Sequence, residues 1–98
     1  MDKTIANIDP SGQWCLITVQ PRKRDSFIKY LNNDIAKKQL QELILETVTL
    51  EEKVYEDMIL IKISNFIEAK THLQQIDCFQ NIQRLKPNDV SRMLDRSS

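Results

Sequence analysis

The chain has 98 residues, with 14 basic and 14 acidic side chains that cancel and only one glycine. Balanced charge excludes a strong global pull toward nucleic acid or anionic membrane, so any such contact must be local. A single Gly12 excludes a glycine-rich phosphate loop. The length fits one small domain able to bury one two-layer core.

In chain order, residues 1–13 are polar, contain the turn cluster Asp9-Pro10-Ser11-Gly12, and read as a flexible leader. They lack the apolar segment of a signal peptide, and no apolar run is long enough to span a bilayer, so the expected compartment is the cytoplasm. Residues 14–20, WCLITVQ, have strand composition and stop at Pro21. From Arg22 to about Gln39 the period changes. Phe27, Leu31 and Ile35 recur every four residues beside Ile28, predicting a helix capped by Asp25 or Ser26.

Residues 43–50, LILETVTL, predict a second strand, and 54–63, VYEDMILIKI, a third. The short charged link Glu51-Glu52-Lys53 makes them expected antiparallel neighbours. Ser64 or Asn65 is a suitable N-cap for a second helix carrying Phe66, Ile67, Ala69, Leu73 and Ile76. Residues 78–85 predict a fourth, weaker strand. Pro87-Asn88-Asp89 opens a terminal helix with Val90, Met93 and Leu94, and 96–98 are expected to fray. The order β-α-β-β-α-β-α predicts an α/β sandwich over 14–95: a four-stranded, mainly antiparallel sheet with helices packed on one face.

Chemistry-bearing constellations are sparse. His72 is the only histidine, lies mid-helix, and reads as a partly exposed helix residue. One histidine and two distant cysteines lack metal-ligand spacing, so neither a metal nor a cofactor is expected. Cys15 and Cys78 sit in apolar stretches and read as reduced core thiols. The carboxylate pairs Glu51-Glu52 and Glu56-Asp57 flank a hairpin, where charge keeps an edge soluble. An enzyme is therefore not expected. The aromatic pattern of RNA-recognition motifs is absent, although Trp14 and Tyr55 stand near strand starts, with Trp14 as a core anchor the competing assignment. Arg22-Lys23-Arg24 opposes the dipole at a helix start. It reads either as a solvated helix start or as a nucleic-acid phosphate contact.

From Trp14 to Leu94 the sequence resembles the N-terminal domain of the NusG family of transcription-elongation factors. Trp14-Cys15 stands where that family opens its first strand with a Trp-Tyr pair. Residues 54–63 align without a gap on its LFPGYVLVKM-like strand, residues 77–84 loosely on its PGVTGFVG-like turn and last strand, and residues 84–94 on its PLSEEEVERIL-like closing segment. The resemblance implies a monomeric module that docks an apolar depression onto the clamp helices of RNA polymerase and modulates elongation or antitermination. By position that depression would comprise Trp14, Tyr55, Met58, Phe79 and Ile82; the alternative is that Phe79 and Ile82 fill the core. Arg22, Lys23 and Arg24 fall at the start of the helix that faces DNA in the family.

The sequence also departs from the family. Pro-Gly-Tyr becomes Glu56-Asp57-Met58, a glycine of the last strand becomes Asn81, and the hairpin between strands two and three is short. The family continues into a small KOW barrel that tethers ribosome or Rho, whereas this sequence ends at Ser98, so those couplings are expected to be absent. A second expectation follows from the departures: an RNA- or ribosome-associated module on the same fold that has lost the polymerase site.

Overall fold

The computed structural model describes residues 12–97. Most of the expected leader therefore lies outside the described residues, as does Ser98. Four strands and three helices follow in the order β1 (Gln13–Val19), α1 (Arg24–Lys38), β2 (Ile44–Val48), β3 (Met58–Ile63), α2 (Phe66–Leu73), β4 (Phe79–Arg84) and α3 (Pro87–Ser97), with a 3₁₀ turn at Lys53–Tyr55. The four strands form one fully antiparallel sheet in the spatial order β2-β3-β1-β4. The expected α/β sandwich, with its β-α-β-β-α-β-α order, is thus observed.

Alternation along the strands divides the core in two. Cys15, Ile17 and Val19 of β1, with Ile59, Ile61 and Ile63 of β3, face α1 and α2 and pack on Phe27, Leu31, Ala69 and Leu73. Leu16 and Leu60 face the other way and pack with Leu85 and with Val90 of α3. The helices therefore do not share one face: α1 and α2 cover one side, and α3 covers the other. Its Val90, Met93 and Leu94 supply an apolar stripe at helical spacing, against which the second face of the sheet is buried.

Local chemistry sets the element boundaries. α2 starts where expected, because Asn65 is extended and its side-chain oxygen accepts from the Glu68 backbone N–H at 3.0 Å. Such a cap contributes about 1 kcal/mol. α1 starts two residues later than expected. Arg22 has φ 64°, outside the helical region, and Lys23 is the N-cap with no side-chain cap bond, so neither Asp25 nor Ser26 caps. β4 begins one residue later than expected because Cys78, at φ 80°, cannot continue a strand ladder. α3 runs through Ser97, past the expected fray point. Gly12, at φ 76°, is required at the start of β1: a Cβ there would lie 2.6 Å from the Ile63 carbonyl oxygen and 2.8 Å from Leu45 Cδ1.

The third strand differs most from expectation. It starts at Met58, and 54–57 form the end of the 3₁₀ turn and a tight turn, so β2 and β3 are joined by nine residues rather than three. Val54 and Tyr55 have strand propensity, but β1 offers them no partner. The β1–β3 ladder ends at Thr18 opposite Met58. One further backbone bond, from the Val19 N–H to the Asp57 carbonyl at 2.9 Å, closes the end of the ladder.

Candidate functional site

The five residues expected to form one depression are divided between the two faces of the sheet. Ile82 is buried opposite Ile17, and Phe79 packs beside it with its ring centroid 6.4 Å from that of Phe27, both in the core under α1 and α2. Trp14, Met58 and Tyr55 lie on the α3 side. A bulge between Thr18 and Val19 in the β1–β4 register explains how both Phe79 and Ile82, three residues apart, reach the same core.

The three remaining residues are half-buried and surround α3. Trp14 lines a groove of about 410 Å³ with Pro87, Val90, Ser91 and Leu94. Lys62 reaches over the same indole at 5.7 Å. Tyr55 lines a second groove of about 340 Å³ on the opposite flank of the helix, with Asp89, Arg92 and Met93. Asp89 and Arg92 pair with each other along α3. Met58 sits at the far end of the β1–β3 ladder from Trp14, four positions away, or roughly 13 Å at strand rise. α3 thus separates Trp14 from Tyr55 and leaves a groove on each side, more apolar beside Trp14 and lined by Gln83, Asp89 and Arg92 beside Tyr55.

The basic run is also divided. The Arg24 side chain is partly buried, and its Nη1 donates to the Leu50 carbonyl at 3.0 Å and the Tyr55 carbonyl at 2.9 Å. Arg24 therefore ties the β2–β3 connection to α1. From the other side, Asp57 Oδ1 accepts from the Arg22 backbone N–H at 3.0 Å, which holds the β1–α1 turn in its left-handed geometry. The Arg22 and Lys23 side chains are exposed, but Arg22 shares a small hollow with Asp25 and Glu56. Of the three cations, one serves the fold and one faces two acids. The two acids of the Glu56-Asp57 pair likewise separate into an exposed Glu56 and a structural Asp57.

No polar or charged side chain is buried among the described residues, and no group of three His, Cys, Asp or Glu could hold a metal among them. His72 is half-buried in α2, in a polar groove with Lys38, Glu42, Ser64 and Glu68. Cys15 and Cys78 are free. Burial pushes the Cys15 thiol from 9.0 up to about 11, while the nearby Arg84 guanidinium pulls it back slightly. A thiol held protonated in this way is a packing group rather than a nucleophile. Among the described residues no helix is long and apolar enough to cross a membrane.

Sequence reading missed a cluster on the α2–β4 edge. Arg84 lies with its guanidinium carbon 4.6 Å from the centroid of the Phe66 ring, and Lys70 Nζ lies 6.0 Å from the same ring. The spacing of Phe66 and Lys70, four apart on α2, was legible as a shared helix face; nothing local announced that β4 would bring Arg84 to it. Neither a protein-family model nor a curated protein matches the chain.

Proposed function

We propose that the chain is a NusG-like transcription module that binds the clamp helices of RNA polymerase and modulates elongation or antitermination. The observation that carries this reading is that Trp14, Met58 and Tyr55 are half-buried on the α3 side of the molecule, Trp14 and Tyr55 lining the grooves on the two flanks of α3. Partly covered aromatic and methionine side chains beside a groove suit a helix-in-groove contact, in which a few apolar anchors carry most of the affinity. The matching order and apolar register from Trp14 to Leu94 give the reading its partner. Phe79 and Ile82, being core, have no part in it.

Purified RNA polymerase, and separately its isolated clamp-helix hairpin, should capture the chain, and Tyr55→Glu or Met58→Glu should abolish capture with the far-UV spectrum unchanged. Failure of the intact chain to bind either target would remove the reading.

The second reading, an RNA- or ribosome-associated module on the same fold, draws on the exposed Arg22 and Lys23. It differs in outcome. Capture from a host lysate would then bring down ribosomes, tolerate Tyr55→Glu, and weaken steeply with salt.

A further inference from the structure

Phe66 opens α2 and is half-buried against the core, so its ring is held by packing. Arg84 and Lys70 both lie over it, from β4 and from the next turn of α2. Contact with the ring face positions the guanidinium without using any of its N–H donors. Both cations are exposed, and among the described residues neither pairs with a carboxylate or donates a side-chain hydrogen bond. The carboxylate on the same helix, Glu68, is directed elsewhere: it sits two residues from both Phe66 and Lys70, and it lines the groove beside Lys38 and His72 on the α1 side. β4 itself contains no acid. Among the described residues it is an edge strand bonded only to β1; Gln83 lines the Tyr55 groove on the α3 side, whereas Arg84 lies on the α2 side, with exposed Lys86 two residues on.

We infer that this edge binds single-stranded nucleic acid. Arg84, Lys70 and Lys86 contact consecutive backbone phosphates. A pre-oriented guanidinium with unused donors is the group that phosphate recognition requires. An open strand edge without a projecting helix suits a single strand better than a duplex groove. The surface lies across the sheet from Trp14 and Met58, so it does not depend on the polymerase-docking reading and would stand if that reading failed.

Fluorescence anisotropy with labelled oligouridine of about 12 nucleotides, and with the corresponding oligothymidine, tests the inference. Three phosphate contacts predict that affinity falls about twentyfold between about 50 and about 200 mM salt. Replacing Arg84 and Lys70 together by Gln should weaken binding by about tenfold, whereas Arg22→Gln with Lys23→Gln should change it by less than about twofold. Lys70→Glu alone, at an exposed position, provides a variant that cannot fail through the core. Absence of binding to both oligonucleotides at low salt would overturn the inference, as would unchanged affinity in these α2–β4 variants. Displacement by polyglutamate as effective as by unlabelled oligouridine would also overturn it, making the edge an acidic-peptide site.

Discussion

At the β1–α1 corner, Arg24 gives two N–H bonds to the Leu50 and Tyr55 carbonyls, and the Asp57 carboxylate accepts one from the Arg22 amide. At the α2–β4 edge, the Arg84 side chain lies over the Phe66 ring and donates no hydrogen bond among the described residues. The first region is conspicuous in the sequence as a run of three cations, yet its central contact is internal. The second is assembled from residues on two separate elements, yet its cations remain available. Density of charge along the chain is therefore a poor guide to where charge is free. What decides is whether nearby carbonyls and carboxylates consume it, and only tertiary structure sets that.

Truncating each arginine in turn should separate the two regions most clearly. Arg24→Met strands two backbone carbonyls and should destabilise the fold by about 3 kcal/mol in urea denaturation. Arg84→Met loses only its ring contact and should cost about 0.5 to 1 kcal/mol. Equal effects would erase the distinction between a structural and an available cation.

The Cys15 thiol reports on the second region from inside the core. Its folded pKa of about 11 exceeds the ordinary 9.0 of an unfolded thiol. The protonated form is thus favoured in the folded state, so stability is fully present below pH 9 and is lost as pH rises through the folded value. The loss amounts to about 2 to 3 kcal/mol, measurable as a fall in denaturation midpoint that Cys15→Ala removes. Removing the Arg84 charge should raise the thiol pKa further and delay its reaction with a thiol reagent at alkaline pH.

A smaller effect sharpens the first region. Asp57→Ala leaves the Arg22 amide without its side-chain partner and should cost about 1 to 2 kcal/mol. Asp57→Asn keeps an acceptor oxygen and should recover most of that loss. If the two variants behaved alike, the carboxylate would not be holding the turn.

Much of the fold was legible because local signals agreed with the global arrangement. The four-residue spacing of Phe27, Leu31 and Ile35 drew α1, and Asn65 marked the start of α2. The element order along the chain, and the pairing of β2 with β3, also followed from the sequence. Residues 54–57 misled because Val54 and Tyr55 favour strand, whereas the bonds that bend them come from α1 and the β1–α1 turn, far away in sequence. Phe79 and Ile82 were ambiguous for a related reason: a bulge changes which face a strand residue occupies, and no composition signal locates it. The Phe66–Arg84 stack was illegible because it joins a helix to a strand edge.

α3 is tied to β4 by only Leu85 and Lys86, and it closes the smaller of the two apolar clusters. The larger cluster, formed by the sheet with α1 and α2, does not need it. Lifting α3 away would leave that larger interior intact while baring Leu16 and Leu60. The molecule thus has a hierarchy of opening: amide protons along α3 should trade with solvent through partial excursions, while those of β1 and β3 wait for the whole chain to come apart.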